Sequence, residues 1–554
     1  MATVDIHIVS GVLLGSVIFG VLLWKVSHYG MRLDGYPPGP PTIPILGNLH
    51  QLPDSNLHFC LQRWAQEYGP IYSLKLGSQT QIVVSSQTII RDLLEKRSNI
   101  YSTRMDMFIR ENSDNLNILF RNNDDIWRRQ RRMYHLRLNA KGADSYIPYQ
   151  LFESRQLLHD FLVAPDDYDR NFRRYTSSVA STLAFGWRTP SMDIPAVAGM
   201  CDVGTHLSWN DRNVRIANSL QMTDWYPSLR PVFNLIPTRL SGLKQDLKEI
   251  RKLEEGLFID LFQEAKARNR EGRIRPCFSN DMISANEKAG ADRLGDKELA
   301  HNAVQAAMGA TDTQWNTLKG FLKAMVLFPK VQKEAQAEID KVVGPNRMPS
   351  WSDREHLPYI RGVVEESLRW FPTTLLGAVP HGVAQDDIYI GYKIPAGAGI
   401  INNVWTINND PERYKNPREF DPRRHDLDKT SGEFFGINSN TTERPHMNFG
   451  AGRRVCPGFH VAERGLFIAI VRMLWAFSMS RGVDEQGNPV PIDRDAVTGG
   501  LVAGPAPFSC KIVPRDEGRR AKIIQSWDEA LTSLDKDFDF TDEYFKREFQ
   551  HVKA

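Results

Sequence analysis

The chain opens with an apolar stretch. Residues 6–24 contain no acidic residue, lysine or arginine, and about 20 such residues are enough for a helix to cross a bilayer. Lys25 and Arg32 follow the stretch and Asp5 precedes it, so the basic side should remain cytoplasmic. Residues 1–25 are therefore predicted to be an uncleaved membrane anchor. A cleaved signal peptide is disfavoured, because no basic segment precedes the apolar run and no clear cleavage site follows it.

A proline-rich segment separates this stretch from the rest of the chain. Residues 36–41 read YPPGPP, and proline fixes φ and removes a backbone donor, which favours a stiff extended spacer. Residues 26–46 are therefore predicted to be a basic, proline-rich hinge. Residues 47–514 follow as the main domain, and residues 515–554 as a charged C-terminal extension without an assigned function.

The remaining pattern is mostly helical. Two short apolar segments, residues 71–76 and 81–85, have the length of strands and predict a hairpin. Longer stretches have helical periodicity and stop at prolines such as Pro329. The pattern predicts a mainly α fold with a minor β region, with long helices over residues 299–328 and 461–477.

Composition narrows the possible functions. The 554 residues are 41% hydrophobic, so the chain can bury a large core. A formal net charge of +3 implies no bulk affinity for nucleic acid, and no nucleic-acid partner is predicted. The cysteines are odd in number, widely spaced and without a CxxC pair, which argues against a disulfide scaffold or zinc site and favours a reducing compartment: Cys60, Cys201, Cys277, Cys456 and Cys510.

One of these cysteines lies in a glycine-rich loop. Residues 449–458 read FGAGRRVCPG and precede the predicted helix over residues 461–477. Glycine permits positive φ and close backbone approach, and a helix N-terminus favours negative charge, so Cys456 is expected to sit as a thiolate. Arg454 can bond an anionic ligand group bidentately. This combination indicates haem, while the alternative is a buried structural thiol.

The loop also carries a family signature. Its spacing matches F-x-x-G-x-R-x-C-x-G at Phe449, Gly452, Arg454, Cys456 and Gly458, and on these residues the chain resembles the cytochrome P-450 family. The proline-rich hinge is similar to that of microsomal members. The resemblance implies a P-450 fold with haem b, the loop cysteine as its axial ligand, and the phenylalanine and arginine at the cofactor. Thiolate ligation in the family favours O–O cleavage.

The same resemblance implies a reaction, partners and a location. A member of the family would be a haem-thiolate monooxygenase that uses O2, electrons from an NADPH-cytochrome reductase and a small-molecule substrate. Cytochrome b5 is a candidate second donor. Residues 6–24 would then anchor the protein in the endoplasmic reticulum membrane as a single pass, with a cytosolic catalytic domain. A cytosolic domain would leave the sequon at Asn440 unmodified.

Further segments resemble cofactor contacts of the family. Trp127 and Arg131 lie four positions apart and hence on one helical face, which in isolation would be a solvated basic helix. The stretch resembles the W-x-x-x-R helix, whose indole N–H and guanidinium hold the haem propionates. His381 follows Val379 and Pro380 where fungal-type sequences have P-H or P-R, so it is a candidate propionate contact. A strand-end histidine bound to backbone is the alternative.

Residues 309–314, GATDTQ, resemble the distal-helix motif [AG]-G-x-[DE]-T-[TS]. On that resemblance Asp312 and Thr313 are the acid and alcohol that deliver protons for oxygen activation. Ala310 and Gln314 depart from the motif and imply a changed pocket shape. The alternative is a capping box starting at Thr311, although the helical pattern already extends upstream.

A third group is predicted to be structural. Glu366 and Arg369 lie three residues apart and resemble the family's E-x-x-R pair, with Arg424 as the third member of a buried network behind the haem. Arg423 and His425 replace the glutamate and phenylalanine of the family pattern. Alone, the first two residues would be a surface ion pair worth a few tenths of a kcal/mol.

The substrate is less constrained. Residues 104–120, 222–235, 373–379 and 498–502 are the predicted pocket segments, and Arg104 and Arg110 are expected either to meet a phenol or carboxylate or to be solvated. The expected apolar lining suits an aromatic or polyketide-like metabolite, as in fungal secondary-metabolism members: Met105, Met107, Phe108, Phe120, Leu375 and Leu376. The competing functions are a haem-thiolate isomerase or dehydratase that needs no oxygen, and a non-catalytic haem-binding protein.

Overall fold

The structure is a computed structural model. It describes residues 6–112, 114–193, 223–273, 275–425 and 441–549. Cys201, Met222 and the sequon at Asn440 lie outside these ranges, so the predictions made for them are not addressed further. Among the residues whose side chains the structure describes, which leave out residues 6–12 and 22 of the first helix, no helix is long and apolar enough to cross a membrane.

Helices make up most of the described chain, as expected for a mainly α fold. A π-helical segment, Arg91–Lys96, extends the third of them. In chain order the α-helices are α1 Ile6–His28, α2 Leu57–Tyr68, α3 Gln87–Ile90, α4 Ser98–Tyr101, α5 Ile109–Asn112, α6 Asp125–Leu138, α7 Ala140–Asp144, α8 Ile147–Val163, α9 Tyr168–Phe185, α10 Arg230–Leu235, α11 Gly242–Arg270, α12 Phe278–Glu287, α13 Asp296–Leu327, α14 Pro329–Val342, α15 Pro358–Trp370, α16 Val404–Asn408, α17 Phe459–Ala476, α18 Glu517–Leu531 and α19 Asp542–Glu548.

The central helix is α13, which confirms the long helix predicted over residues 299–328. Two acidic residues occupy its first turn, where they complement the helix dipole. It ends before Phe328, and Pro329 then starts α14 at a position where a missing amide costs nothing. Residues 311–314 lie inside the helix, so the capping-box alternative at Thr311 is wrong. The helix packs along α9, α11 and α17.

The core is built around α17. From Gly465 to Ala476 every side chain is buried, because this helix is apolar on all sides and therefore needs neighbours all round. It packs against α8, α13, α14 and α15. The helix begins directly after the glycine-rich loop, so this buried element fixes the position of the loop.

The β region is small and lies beside the helices. A five-stranded sheet has the order β1-β2-β7-β4-β3, and its β1–β2 hairpin confirms the predicted one. Two short antiparallel pairs, β5–β6 and β8–β9, lie outside this sheet. The strands are β1 Ile71–Leu76, β2 Gln79–Val84, β3 Thr103–Arg104, β4 His381–Gly382, β5 Asp387–Tyr389, β6 Tyr392–Ile394, β7 Gly399–Asn402, β8 Phe477–Arg481 and β9 Cys510–Pro514.

The described part of the C-terminal extension packs on the main domain. Helix α18 lies against α8, and the extension buries aromatic side chains in the same hydrophobic cluster as α8 and α17. Asp539 accepts hydrogen bonds from the Arg188 amide at 3.1 Å and from Arg275 at 2.6 Å. The segment predicted as a charged extension thus contributes to the core through Trp527, Phe540, Tyr544 and Phe549.

Candidate active site

A cavity of about 410 Å³ lies between α13 and the glycine-rich loop. Side chains of α6, α9 and the β3–β4 pair complete its wall. All the residues predicted to act in catalysis or to contact the cofactor line this one cavity: Trp127, Arg131, Asp312, Thr313, His381, Phe449, Arg454 and Cys456. The fold therefore brings together side chains from four distant segments of the sequence.

Cys456 closes the glycine-rich loop. Gly450 and Gly452 adopt φ values of +70° and +65°. A Cβ at Gly452 would lie 2.0 Å from the Leu94 carbonyl oxygen, so only glycine fits at this close approach. The Cys456 amide donates to the Phe449 carbonyl at 2.8 Å. These constraints fix the cysteine in the cavity wall, just ahead of α17.

The electrostatics of the thiol differ from the sequence expectation. Burial raises the pKa of the Cys456 thiol, while the Gly458 amide and the Arg131 guanidinium oppose the rise. The cation that acts on the sulfur is therefore Arg131, and Arg454 points to other partners. Without a metal ion, burial therefore favours the protonated form of the thiol. A coordinated metal ion would remove that proton.

Three guanidinium groups share the cavity wall, and we call Arg104, Arg131 and Arg454 the arginine cluster. Within the described residues none of the three belongs to an ion pair, although Asp124 acts on Arg454 at longer range. Their hydrogen-bond acceptors are main-chain carbonyl groups: Leu119 and Val379 for the first arginine, Val455 for the second, and Ser102, Ile118 and Arg121 for the third.

The arginine cluster carries uncompensated charge. Burial, followed by Arg104 and Arg131, lowers the pKa of Arg454 to about 8. Burial, followed by Arg131, lowers the pKa of Arg104 to about 10. Because a guanidinium does not give up its proton in a protein, these shifts express how unfavourable three buried like charges are. An anionic group bound at the cluster would relieve that cost.

Trp127 supports this cluster from α6. Asp124 precedes the helix, and its carboxylate accepts from the Trp127 amide at 2.8 Å, a side-chain cap that fixes the first turn. The Arg454 guanidinium lies 4.1 Å from the centroid of the Trp127 ring, close enough for a cation–π interaction. Arg131 follows one turn later on the same helix. The predicted helical face therefore exists and meets the cavity.

His381 is held by the backbone. It pairs with Arg104 in the β3–β4 ladder, and its Nδ1 lies 2.9 Å from the Tyr101 carbonyl oxygen. A carbonyl only accepts, so Nδ1 carries the proton. Burial, followed by Arg104, lowers the pKa of His381 to about 3, and the ring is neutral. The structure shows the backbone-bound alternative, and the propionate contact stays a prediction.

The opposite wall of the cavity is α13. The Thr313 hydroxyl donates to the Gly309 carbonyl at 2.7 Å, and a Cβ at Gly309 would meet no atom within 4 Å. Thr311 and Gln314 likewise donate to carbonyl groups four residues earlier, at 2.9 and 3.2 Å. Such side-chain bonds compete with the helix's own ladder. They hold the polar groups of this stretch against the helix at the cavity.

Asp312 lies beside Thr313. Burial raises the pKa of Asp312, and Arg173 and Lys319 oppose the rise. Lys319 is itself fixed, because it donates to Asp169 at 2.9 Å and lies 3.8 Å from the Trp315 ring centroid. The Asp312 carboxyl therefore retains a proton at higher pH than an ordinary aspartate. It is placed to exchange that proton with groups in the cavity.

These residues fit haem b. The cavity offers one cysteine sulfur for an iron ion, and the arginine cluster offers three cations without a paired carboxylate for two propionates. Gly450 and Gly458 line the cavity, and a Cβ at either would meet no atom within 4 Å. The wall is therefore flat and open at these glycines. A planar dianionic group ligated through sulfur suits this set of donors.

The predicted structural group lies outside the cavity wall. Arg369 donates to both carboxylate oxygens of Glu366 at 2.7 Å each, and Arg424 donates to the same carboxylate at 3.2 Å. Arg369 also donates to the Asn408 carbonyl at 2.8 Å, and the Asn408 side chain accepts from the Met447 amide at 3.0 Å. The group is thus joined to the segment that leads into the glycine-rich loop.

The sequence missed one member of this group. His425 Nε2 lies 3.0 Å from the Glu366 carboxylate, although the family pattern has phenylalanine there. Glu366, Arg369, Arg424 and His425 are called the Glu366 network below. Burial opposes ionisation of Glu366, but its partners, Arg369 first, lower its pKa to about 2. Arg423, the other departure, forms an exposed ion pair with Glu334 and lies over the Tyr359 ring, 5.0 Å from its centroid.

Three of the four predicted pocket segments, residues 104–120, 373–379 and 498–502, contribute to the cavity wall, but most of the apolar side chains predicted to line it do not. Of the six apolar side chains expected there, only Phe120 lines the cavity. Phe108 packs against Leu247 and Ile250, and Leu376 packs with the α2–hairpin cluster, because neighbouring residues of an irregular loop face different ways. The described residues from 223 to 235 also do not line the cavity. Its apolar lining instead includes Ile118, Leu119, Leu183, Phe278, Met308 and Val502.

Arg104 was also misassigned. The sequence predicted either a substrate contact or a solvated side chain, yet Arg104 is buried and belongs to the arginine cluster through its pairing with His381. The two residues are 277 positions apart, and only the strand register joins them. The sequence signals for this pairing are an arginine in one short strand segment and, in another, a histidine that follows a proline turn.

Comparison with known proteins agrees with this geometry. The sequence model described as Cytochrome P450 matches residues 37–512. The chain is similar to cytochrome P450 monooxygenase virE of Hypocrea virens, with 42% identity over 532 residues and 94% of each chain covered. It is also similar to cytochrome P450 monooxygenase fogE of Aspergillus ruber, with 38% identity and coverage of 95% of this chain and 96% of that one.

A solved structure supports the fold independently. A zebrafish cytochrome P450 determined with abiraterone superposes with a TM-score of 0.65 and 21% identity, over 83% of this chain and 100% of that chain. A sequence identity of 21% supports a conclusion about the fold only. The expected P-450 fold of the main domain is confirmed.

Proposed function

The chain belongs to the cytochrome P450 family, and from that premise we propose that it is a membrane-anchored monooxygenase of fungal-type secondary metabolism. It is an oxidoreductase of the monooxygenase class, and its cofactor is haem b with an axial cysteine thiolate. The proposed reaction is the oxidation of a small to medium apolar or aromatic metabolite. The observation that carries the proposal is the single cavity shared by Cys456, the arginine cluster and the Asp312–Thr313 pair.

Each part of the cavity wall has a proposed role toward the cofactor. Cys456 supplies the sulfur ligand, and Phe449 stands in the wall beside it. Arg131 and Arg454 would bind the propionates, with Arg104 as a third cation beside them. Trp127 and His381 line the same side of the cavity. When bound, haem b supplies the activation of O2 and the transfer of one oxygen atom to the substrate.

The proposed proton path uses residues of α13. Asp312 holds a proton at its carboxyl, because burial raises its pKa, and Thr313 presents a hydroxyl in the same wall. The Thr313 hydroxyl can accept a hydrogen bond while donating to Gly309. Lys319 and Arg173 keep Asp312 from becoming permanently neutral by favouring its charged form. The pair can therefore hold and pass on protons one at a time.

The Asp312–Thr313 pair also separates the proposal from its alternatives. An isomerase or dehydratase needs no proton delivery to oxygen, and a haem-binding carrier needs no acid–alcohol pair at all. The polar pair lies in a cavity whose wall is mostly apolar. That lining suits an aromatic or polyketide-like substrate, with a phenolic compound as one example.

We further propose the membrane location and partners. Helix α1 spans 23 residues, its sequence from 6 to 24 lacks ionic residues, and Leu14, Phe19 and Trp24 are more than half exposed. Tyr226 stacks on Tyr29 directly after α1. Nearby exposed apolar side chains, such as Leu235 and Leu240, support contact with a lipid bilayer. The proposed partners are an NADPH-cytochrome reductase, cytochrome b5 as a second donor, O2 and the substrate, at the endoplasmic reticulum.

The first experiment expresses the full chain with a reductase and records the carbon monoxide difference spectrum while small phenols and larger polyketides are titrated. A thiolate-type band with a substrate-induced spin shift is expected, and Cys456→Ala should abolish that band. Retention of the band by the variant would overturn the ligand assignment. Consumption of NADPH and O2 that depends on substrate distinguishes the monooxygenase from an isomerase and from a carrier.

A second experiment tests the proton path. Thr313→Ala should retain haem and its thiolate-type spectrum but release more of the reducing equivalents as hydrogen peroxide. The expected loss of coupling is about 100-fold, the lower end of the range for a positioned proton donor. Thr311→Ala is the matched control and should keep coupling, because its hydroxyl also donates to a carbonyl four residues earlier but it does not line the cavity in the described structure. Unchanged coupling in Thr313→Ala would remove this hydroxyl from the mechanism.

A further inference from the structure

Glu365 and His446 form a buried pair that the proposed chemistry does not use. Glu365 lies on α15 and is 1% exposed, while His446 precedes the glycine-rich loop and is 2% exposed. His446 Nε2 lies 3.1 Å from Glu365 Oε2. Within the described chain, neither carboxylate oxygen of Glu365 and neither ring nitrogen of His446 has an aligned hydrogen-bond partner. The two groups therefore have only each other within reach.

The surroundings determine how many protons the pair holds. An ionised carboxylate buried without a donor is very unfavourable, and a distance of 3.1 Å is within reach of a hydrogen bond. One shared proton leaves the pair neutral. Burial raises the pKa of Glu365 to about 8 and lowers that of His446 to about 3, which agrees with a proton held on the carboxyl side.

Charged groups face the pair from several elements. Burial is the largest cause of both pKa shifts, and the neighbouring charges modify it. His425 and Arg354 favour the ionised form of Glu365. The Glu463 carboxyl on α17 and the Tyr414 hydroxyl also face Glu365, which adds to the burial that raises the pKa of each. Three cations disfavour a protonated imidazole at His446, and Glu366 favours it: the cations are Arg369 on α15, Arg413 after α16, and Arg444 next to the loop.

The pair touches the glycine-rich loop through Phe449. The ring centroids of His446 and Phe449 are 5.5 Å apart, at an interplanar angle of 56°. The Phe449 carbonyl accepts the hydrogen bond from the Cys456 amide at 2.8 Å, and Phe449 lines the cavity. A change in the position of the imidazole is therefore passed to the residue that holds Cys456.

We propose that Glu365 and His446 share one proton and act as a positioning pair for the Cys456 loop. While the proton is present, the neutral pair packs under Phe449. When it is lost at alkaline pH, a buried negative charge replaces it and the imidazole must reorient to donate to the carboxylate. The inference rests on the proposed function in one respect, namely that Cys456 is the axial ligand.

The test uses the full chain loaded with haem. The thiolate-type carbon monoxide band is measured from neutral to alkaline pH. The natural chain is expected to lose the band in a one-proton step near the Glu365 pKa of about 8, and Glu365→Gln should remove this step, since an amide does not ionise. The infrared difference spectrum between the natural chain and Glu365→Gln at neutral pH should show the carbonyl band of a protonated carboxylic acid, contributed by the natural chain.

Two further variants keep the test sharp. His446→Phe retains a ring against Phe449 but removes the only neighbouring donor for a Glu365 carboxylate, so the alkaline step should move upward by at least one pH unit, a tenfold change in proton affinity. Glu338→Gln is the matched control. Glu338 also contacts α15, where it accepts from the Tyr359 and Ile360 amides at 2.9 Å each, and its replacement should leave the step unchanged.

The outcomes separate the two proposals. An alkaline step that persists in Glu365→Gln, an unmoved step in His446→Phe, or no protonated-acid band at neutral pH would each overturn the shared proton. Absence of a thiolate-type band at every pH in the natural chain would instead overturn Cys456 as the ligand. The infrared measurement does not depend on that ligand, so it still decides whether Glu365 holds the proton.

Discussion

Two of the buried charge clusters, the Glu366 network and the arginine cluster, differ in how their charges are balanced. In the Glu366 network one carboxylate is surrounded by donors, and the pKa of Glu366 is about 2. In the arginine cluster three cations have only carbonyl groups as partners, and the pKa of Arg454 is about 8. Arginine is structural in the first cluster and a proposed ligand-binding group in the second. The presence or absence of a carboxylate makes the difference.

The comparison is informative because both clusters adjoin the same loop. The Glu366 network reaches it through Asn408 and Met447, and the arginine cluster reaches it through Arg131, which donates to the Val455 carbonyl. One cluster is complete in the folded chain, so its loss should reduce stability whether or not a cofactor is present. The other should affect mainly the binding of the cofactor.

The largest effect is expected from breaking the Glu366 network. Arg369→Ala removes the guanidinium that donates twice to Glu366 and leaves a carboxylate of 0% exposure without its main partner. The free energy of unfolding should fall by about 3–5 kcal/mol, as for other buried pairs that lose one member. Urea unfolding followed by circular dichroism measures the change.

A neighbouring pair provides the control for this prediction. Arg423 and Glu334 are 2.6 Å apart with side chains that are 60% and 47% exposed, and Arg423→Gln should cost no more than about 1 kcal/mol. If Arg369→Ala were no more damaging than this control, the Glu366 network would not be the structural element described above.

The next largest effect is expected from a change in the arginine cluster. Arg131→Gln removes one of three uncompensated cations, so the unfolding free energy of the haem-free chain should be unchanged or higher. The affinity for haem should fall about 10- to 100-fold, since a hydrogen bond to a charged group is worth about 1.5–3 kcal/mol. Titration of the haem-free protein with haemin measures the affinity.

Arg132→Gln is the matched control on the same helix. Arg132 does not line the cavity in the described structure, and its replacement should leave haem affinity as it is. A fall in stability without a change in haem affinity for Arg131→Gln would mean that the arginine cluster is structural after all.

Acidification should affect the two clusters differently. The folded pKa of Glu366, about 2, lies below its ordinary value of 4.5. Its ionisation therefore contributes stability that is fully present above the ordinary pKa and is lost as the pH falls through the folded pKa. Arginines do not titrate in this window. Unfolding free energies measured from about pH 5 downward should decrease in the natural chain, and less steeply in Glu366→Gln. Equal slopes would contradict the assignment.

Local and long-range signals explain what the sequence could predict. The Cys456 loop and the Trp127–Arg131 face are local, since their spacing is set within one loop or one helical turn, and both were predicted. The pairing of Arg104 with His381 depends on strand register, and the contact of His425 with Glu366 depends on how two loops fold back. Neither contact produces a periodic pattern in the sequence from which it could be predicted.

The C-terminal segment shows the same limit in another way. Its high charge suggested an extension, yet Trp527, Phe540 and Tyr544 are buried against α8. The aromatic residues are irregularly spaced, so their burial follows from the partner surface and not from a pattern in the segment.

The smallest effect is expected from changing the aromatic ring that supports the arginine cluster. Arg454 is held by the face of Trp127 at 4.1 Å instead of by a carboxylate. Trp127→Phe keeps an aromatic face but weakens the cation–π attraction, which is strongest for tryptophan, and removes the ring N–H proposed to reach a propionate. Haem affinity should therefore fall only about two- to fivefold, corresponding to about 0.5–1 kcal/mol. Haemin titration beside Arg131→Gln gives the comparison. A loss as large as that of Arg131→Gln would show that the indole, and not the guanidinium charge, carries most of the binding on this side of the cavity.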